Sequence, residues 1–178
     1  MRVRCKKIPA PRSLRIIWLE ESKERGLKTG VIDAEIGAIG DRLLARYKAY
    51  FDSVKPTTYY GDISSKNIMI QRGVFNGLVD LDGLTQGDPL EAIGRIQLSW
   101  YGTRHGELYT RAIMDELGLE ESQREVVLMY ALLNKISWSS ENGIQFNENT
   151  KDEVNWEKAR ADKAVIKIVA GELKIRSG

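Results

Sequence analysis

The sequence predicts an α+β protein that is mainly helical, with one small β-hairpin set into one face. Apolar residues recur at three- and four-residue steps along much of the chain, as on amphipathic helices. Two short branched apolar runs, NIMI and GLVDLD, interrupt that period and are separated by QRGVFN, which is typical of two strands joined by a turn. A chain of 178 residues, 42% of them hydrophobic, can form one domain or one large lobe with its own core.

The N-terminal third predicts one strand and two helices. Residues 2–8 (RVRCKKI) alternate basic and apolar side chains, as an edge strand does, and two prolines end the run. Ser13 is placed to cap a short helix that runs to Gly26, and Thr29 to cap a long amphipathic helix that ends near Pro56. The positions expected to face inward are Leu14, Ile17 and Trp18 in the first helix and Ile32, Ile36, Ile39, Leu43, Tyr47, Tyr50 and Val54 in the second.

Four helices are expected after the hairpin, whose turn falls at Arg72–Gly73 or nearby. The first follows Asp88-Pro89, an N-cap and an N1 proline, and ends near Trp100. The second and third are expected at about residues 103–117 and 121–141, each ended by a glycine or an Asn-Gly pair. Thr150-x-x-Glu153 has the capping-box pattern and is expected to open the last helix.

Composition excludes several classes of protein. The 27 basic and 25 acidic residues give a net charge of +2, whereas a nucleic-acid-binding protein is expected to be strongly basic on one face. No run approaches the roughly 20 apolar residues of a membrane span. The basic N-terminal cluster is not followed by a signal-peptide core, and the single cysteine, Cys5, excludes an intrachain disulfide. We therefore expect a cytoplasmic protein that binds neither nucleic acid nor membrane.

Three polar residues around the hairpin form the candidate site. Asp62 precedes NIMI, Asn67 begins it, and Asp80 is expected at the end of the second strand. If the strands pair, two carboxylates and one amide oxygen converge at one end of the hairpin. Such hard oxygen ligands suit Mg²⁺, which takes its other ligands from water and substrate phosphates. Metal ligands and a carboxylate that orients a hydroxyl nucleophile are what phosphoryl transfer requires.

The segment from Tyr60 to Gly94, YGDISSKNIMIQRGVFNGLVDLDGLTQGDPLEAIG, resembles the aminoglycoside phosphotransferase and choline kinase-like family. The resemblance rests on GDxxxxN before an apolar strand, an apolar strand ending in Asp, and then GDP. It implies that Asp62 is the catalytic base, that Asn67 and Asp80 are magnesium ligands, and that Asp88 supports the catalytic loop. The family pattern begins with His-Gly-Asp, and this chain has Tyr60 in place of the histidine.

The resemblance implies a protein-kinase-like C-terminal lobe that transfers the ATP γ-phosphate to a small-molecule hydroxyl. It assigns residues 1–10 to a hinge-like strand, 13–55 to two helices, 59–94 to the catalytic and metal-binding loops, and 95–178 to a helical substrate-side subdomain. No glycine-rich nucleotide loop and no strand lysine–helix glutamate pair can be assigned. We therefore expect the N-terminal β-lobe to be absent, so that the chain is truncated, is complemented by a separate N-lobe polypeptide, or is a non-catalytic binding module.

Several roles stay open at this stage. Asp82 could touch the metal, but strand alternation turns it to the other face, which favours a structural role. Lys66 could approach a phosphate or be a solvated loop lysine, and the only histidine, His105, is interpreted as structural. The acceptor could be an aminoglycoside, an amino alcohol or a sugar. The side chains considered for holding it are Trp100, Trp138, Glu141, Glu148 and Trp156, although core packing is the default role of a tryptophan.

Overall fold

The computed structural model describes residues 11–63, 65–143 and 153–175, and of residues 11–17 the backbone alone. Its helices are α1 (Pro11–Thr29), α2 (Ala34–Arg46), α3 (Lys48–Ser53), α4 (Leu90–Ser99), α5 (Arg104–Glu116), α6 (Glu121–Ser139) and α7 (Trp156–Glu172). Its strands are β1 (Thr57–Tyr60), β2 (Ile68–Gln71), β3 (Val74–Leu78) and β4 (Leu84–Gly87). Short 3₁₀ turns cover Ser65–Asn67, Leu81–Gly83 and Ser140–Gly143. The predicted fold class, α+β and mainly helical, is confirmed at this level.

The long second helix predicted from periodicity is wrong in its bounds. Asp33 begins α2, because its side chain accepts a hydrogen bond from the Ile36 amide at 3.0 Å, as an N-cap residue does. Thr29 does not cap it, since its hydroxyl donates back to the carbonyls of Arg25 and Gly26. The helix then breaks at Tyr47, whose φ of −97° and ψ of 12° separate α2 from α3. The apolar period continues across this break, which is why the sequence does not reveal it.

The first helix also differs from its prediction. It begins at Pro11 and ends at Thr29, so Ser13 lies inside the helix and does not cap it. Proline is well suited to the first helical position, because its missing N–H has no partner there. The strand predicted at residues 2–8 and the side chains of Leu14 and Ile17 lie outside the described part of the chain.

The core surrounds α6, which contacts α1, α2, α4 and α7. Its inner face is completely buried at Leu132, Leu133 and Ile136, and most inward positions predicted for the second helix join the same cluster. Helix α4 lies very close to α6, because a Cβ on Gly94 would stand only 2.8 Å from the Val127 carbonyl oxygen. This helical packing fixes the position of α4, which forms one wall of the candidate site.

The predicted hairpin is confirmed, and a second sheet was not anticipated. Strands β2 and β3 pair antiparallel around a turn at Arg72–Gly73, where both residues have positive φ angles, 53° and 79°, as a type I′ turn requires. The second strand ends at Leu78, so the prediction that Asp80 ends this strand is wrong, and Asp80 instead precedes the 3₁₀ turn. Strand β1 pairs antiparallel with β4, Thr57 opposite Gly87. TTYY is made of residues that favour strands, although it was not predicted as one, whereas LTQG has no strand signal of its own.

The bounds of helices α4, α5 and α6 agree with the prediction, and the start of α7 does not. Helices α4, α5 and α6 lie within one or two residues of their predicted ends, apart from Ser140–Gly143, which is 3₁₀. Helix α7 begins at Trp156, capped by the Asn155 side chain, so the capping box predicted at Thr150 and Glu153 is wrong as a helix start. Thr150 lies outside the described residues. No helix of the described chain is both long and apolar enough to cross a membrane.

Candidate active site

Two chain connections lie side by side and carry the predicted site residues. The first, residues 61–67, leaves β1 and enters β2, and the second, residues 79–83, leaves β3 and enters β4. The Gly61 amide donates to the Gly83 carbonyl at 2.8 Å, and the Val79 amide donates to the Asn67 carbonyl at 3.0 Å. The two sheets therefore place the residues before the first hairpin strand beside those after the second.

Asp62 and Asn67 are in direct contact within the first connection. The Asn67 side-chain amide nitrogen donates to the Asp62 carboxylate oxygen Oδ2 at 2.9 Å and to the Asp62 backbone carbonyl at 3.1 Å. Asn67 is almost completely buried, whereas the Asp62 side chain remains about one-third exposed. The exposed Lys66 ammonium lies 3.5 Å from the same carboxylate oxygen. Asn67 thus fixes the orientation of a carboxylate that solvent can still reach.

Asp80 belongs to the second connection and has an unusual backbone. Its φ of 61° and ψ of 59° are left-handed, a conformation that aspartate tolerates better than most residues. The Tyr60 hydroxyl donates to the carbonyls of Val79 at 2.8 Å and of Asp80 at 3.1 Å. Tyr60, the residue that departs from the family pattern, therefore anchors this connection. No sequence signal predicted the anchoring bond or the left-handed aspartate.

Asn67 and Asp80 offer oxygen atoms of the kind that Mg²⁺ binds. Both hydrogen bonds of the Asn67 side chain use its nitrogen, which leaves the oxygen Oδ1 for a metal. The Asp80 carboxylate is exposed, and within the described residues it makes no hydrogen bond or ion pair. The described residues contain no group of three His, Cys, Asp or Glu side chains able to hold a metal ion. An ion here would therefore depend on water and phosphate oxygens as further ligands, which is usual for Mg²⁺.

Gly83 is required where the two connections touch. A Cβ on Gly83 would stand 2.9 Å from the Tyr60 ring and 3.3 Å from the Asp62 Cβ. Asp82, its neighbour, lies in the 3₁₀ turn after β3 and is exposed. The strand alternation used to turn Asp82 away from the metal therefore does not apply, and no described residue bonds to its carboxylate.

Asp88 lies at the junction of three helices. One carboxylate oxygen accepts hydrogen bonds from the hydroxyls of Tyr50, on α3, and Tyr130, on α6. The other accepts from the Leu90 amide at 3.0 Å, at the start of α4. Burial, together with the Asp88 charge, raises the pKa of both tyrosines well above the ordinary value. These bonds fix α4 against the helical core; support of the catalytic loop itself stays a prediction.

A small cavity of about 50 Å³ opens beside Asp62. Its walls come from the first connection, from α4 and from α6. They are Gly61, Asp62, Ile63, Arg95, Ile96, Ser99, Trp100 and Trp138. The Arg95 guanidinium lies 5.6 Å from the centre of the Trp138 ring, and Trp100 packs edge-on against His105 and Tyr109. The Tyr109 hydroxyl reaches the Ile63 carbonyl at 3.5 Å.

Two of the five side chains considered for acceptor binding line this cavity, namely Trp100 and Trp138. Trp156 instead lies half exposed at the start of α7, beside Gly30. Glu141 lies in the 3₁₀ turn after α6, and Glu148 is outside the described residues. His105 is exposed in the first turn of α5 and stacks on Tyr109. Sequence reasoning missed Arg95, which looks like an ordinary surface arginine of an amphipathic helix.

Comparison with known proteins identifies no relative of this chain. No protein-family model, no curated protein and no solved structure matches it.

Proposed function

We propose that this protein is the catalytic lobe of a small-molecule kinase, which transfers the γ-phosphate of ATP to a hydroxyl group. In the reaction, a bond forms between the acceptor oxygen and the γ-phosphorus, and the bond from that phosphorus to the β-phosphate oxygen breaks. ADP leaves, and the hydroxyl proton passes to Asp62 and then to solvent. The observation that carries the proposal is the hydrogen bond between Asn67 and Asp62, whose carboxylate belongs to a residue of the cavity wall.

The residues divide into three roles under this proposal. Asp62 accepts the hydroxyl proton and aims the nucleophile, and the Asn67 amide holds its carboxylate in place. Asn67 Oδ1 and the Asp80 carboxylate would hold Mg²⁺, which neutralises charge on the transferring phosphate when it is bound. Asp88 and its two tyrosines are positioning residues, because they fix α4, a wall of the acceptor cavity. Almost all of the rate enhancement would come from positioning and electrostatics.

The proposal includes a nucleotide-binding N-lobe, carried by this or a separate polypeptide, that covers the hairpin. Val74 and Phe75 are neighbours on β3, so their side chains point to opposite faces, yet they are 67% and 61% exposed. Ile70, paired with Phe75 across the hairpin, is 60% exposed. Neither face of the hairpin is thus covered by the described residues. Exposed apolar surface of this kind is typical of a contact surface.

A non-catalytic binding module is the second candidate. The same exposed hairpin favours it, because an apolar surface can dock a partner without any chemistry. The exposed Asp80 carboxylate favours the kinase, since a binding module has no need for an unpaired aspartate in a left-handed conformation beside Asn67. Strained, charged positions of this kind cluster at functional sites.

The test is ADP release from Mg·ATP by the protein purified from its own cells through a tag on this chain, so that any partner polypeptide is retained. The acceptor panel contains aminoglycosides, amino alcohols, sugars and hydroxy acids. Asp62→Asn should abolish turnover while leaving nucleotide affinity nearly unchanged, since Asp62 orients the acceptor. Asp80→Asn should weaken Mg·ATP binding and turnover together. Asp115→Asn, on α5 and outside the candidate site, makes the same chemical change and is the matched control.

The two candidates give opposite results. Acceptor-dependent ADP release that disappears in Asp62→Asn supports the kinase. Mg·ATP binding or turnover that is absent from the retained complex would leave the binding module, whereas turnover that does not change in Asp62→Asn would contradict the role of Asp62 as the base. For the isolated chain we expect little or no turnover, because two protein ligands hold Mg²⁺ weakly without a properly held nucleotide.

A further inference from the structure

We infer that the cavity beside Asp62 binds an alcohol that also carries an anionic group, a carboxylate or a phosphate, and that Arg95 is the residue that selects it. The inference rests on the proposed kinase function, because it names the acceptor of that same site. It runs against the cationic acceptors that a family resemblance to aminoglycoside and choline kinases suggests.

Arg95 is the cationic side chain of the cavity wall, and its charge has no partner there. A guanidinium is always protonated and carries five N–H donors in a planar fork. Within the described residues Arg95 forms no ion pair and its side chain donates no hydrogen bond. Its recorded contact is with the face of Trp138. Because no described residue pairs with them, the guanidinium N–H groups are left to bind a ligand.

Trp138 holds the Arg95 guanidinium in place. Long arginine side chains lose rotamer entropy when a ligand fixes them, and a guanidinium already held over an indole ring loses less. The ring is on α6, whose neighbouring residues Ser137 and Ser139 are buried, so the platform belongs to the rigid core. A preorganised planar fork matches the two oxygens of a carboxylate or phosphate.

The second charged residue of the cavity wall, Asp62, determines how a ligand is oriented in the cavity. Asp62 is a carboxylate, but Asn67 and Lys66 already lie against it. An anion near Asp62 alone would be repelled, whereas an anion at Arg95 is attracted. A ligand that places its hydroxyl at Asp62 and its anionic group at Arg95 satisfies both. A cationic amine in the same cavity would meet the unpaired Arg95 charge, which disfavours it.

The small volume favours short ligands, since about 50 Å³ holds only a few heavy atoms before the opening is reached. The apolar walls of Ile63, Ile96 and the two indoles would contact the carbon chain. Three-carbon alcohols therefore make suitable probes, and a matched set differs in charge alone. Glycerate carries a carboxylate, glycerol 3-phosphate a phosphate, glycerol no charge, and 3-amino-1,2-propanediol a cation.

The experiment is calorimetric titration of the tagged protein with each probe, without nucleotide or metal. We expect glycerate, glycerol 3-phosphate or both to bind, and glycerol and the amine to bind at least tenfold more weakly. Arg95→Gln should reduce anion affinity by roughly tenfold or more, and Arg95→Lys by less, because it keeps the charge without the fork. Arg104→Gln, an exposed arginine at the start of α5, makes the same charge change and should leave binding unchanged.

Thermal unfolding of each variant separates loss of binding from loss of folding. Equal binding of charged and neutral probes, or undiminished anion binding in a folded Arg95→Gln protein, would overturn the inference. ADP release that needs Asp62 but is indifferent to acceptor charge and to Arg95 would overturn the anion site while sparing the kinase. Anion binding that needs Arg95, in a retained complex that never releases ADP, would remove the kinase and with it the acceptor role.

Discussion

The helical body, made of α1–α7, and the loop-and-hairpin segment, residues 57–87, are built on opposite principles. In the helical body the core side chains, such as Leu132 and Ile136, are completely buried. In the loop-and-hairpin segment Ile70, Val74 and Phe75 are more than half exposed. The proposed base and metal ligands, Asp62, Asn67 and Asp80, lie in the second region, whereas most of the wall of the acceptor cavity comes from α4 and α6. The fold therefore separates the part that supplies stability from the part that carries the candidate chemistry.

Two aspartates show the same contrast for charge. Asp88, at the edge of the helical body, is buried and accepts three hydrogen bonds. Asp80, in the loop-and-hairpin segment, is exposed, and its carboxylate makes no hydrogen bond or ion pair with the described residues. A carboxylate that is fully bonded in the folded state stabilises that state, whereas one without partners is available to a ligand. The difference assigns Asp88 to structure and leaves Asp80 for binding.

The largest expected effect tests whether apolar side chains of the helical body contribute more to stability than those of the hairpin. Leu132→Ala, in the helical body, should lower the free energy of unfolding by about 2–5 kcal/mol, because the substitution leaves a cavity in a closely packed core. Phe75→Ala, on the hairpin, should change it by less than about 1 kcal/mol in the isolated chain, because most of the ring is already exposed. Urea unfolding of both variants measures the difference.

A large loss of stability in Phe75→Ala would break the comparison, since it would mean that the hairpin contributes to the core. The same variant also tests whether a second lobe covers the hairpin. If an N-lobe covers the hairpin, Phe75→Ala should weaken retention of that lobe in a pull-down while the stability of this chain stays the same.

The second effect tests whether Asp88 contributes more to stability than Asp80. Asp88→Asn should destabilise the protein by about 2–3 kcal/mol, because the amide group cannot accept from all three donors and one buried donor loses its partner. Asp80→Asn should change stability by no more than about 0.5 kcal/mol, since the side chain is exposed and asparagine also tolerates a left-handed backbone. Thermal and urea unfolding of the matched pair at neutral pH decides the matter. Equal destabilisation by the two substitutions would remove the distinction between them.

Sequence reasoning succeeded where a local pattern decides the structure. The hairpin turn at Arg72–Gly73, and helices α4, α5 and α6, follow from turn residues, caps and apolar period. The sequence-based prediction failed where contacts with residues distant in the sequence determine the structure. The break at Tyr47 leaves the apolar period intact, and β1 pairs with β4, whose sequence LTQG has no strand pattern. Such features depend on tertiary contacts, which a single sequence does not display.

The candidate site was predictable in part for the same reason. Asp62, Asn67 and Asp80 stood out by spacing, and the structure brings their two connections side by side. The Tyr60 anchor, the left-handed backbone of Asp80 and the Arg95–Trp138 pair were not predicted. The last joins residues that lie 43 positions apart on two helices (138 − 95), so only the packing of α4 against α6 reveals it.

The smallest effect concerns pH and one residue of the helical body. Tyr130 is 3% exposed and donates to Asp88 at 3.1 Å. Burial, with the Asp88 charge, holds the pKa of the folded-state phenol far above its ordinary value of about 10. Only the unfolded state then loses this proton as the pH rises through 10, so the stability due to Tyr130 is fully present below that pH and is lost above it.

Tyr130→Phe should therefore cost about 1 kcal/mol at neutral pH, the value of one buried hydrogen bond. The variant has no phenol to titrate, so its stability should fall less steeply in alkali than that of the wild-type protein. One pH unit above 10, a single protected tyrosine has cost the wild-type protein about 1.4 kcal/mol. The two unfolding free energies should consequently meet near that pH. Urea unfolding of both proteins, repeated from neutral to alkaline pH, measures these free energies. If the difference between the two proteins did not change with pH, Tyr130 would titrate normally in the folded state. That result would contradict the hydrogen bond from Tyr130 to Asp88, on which the contrast between Asp88 and Asp80 depends.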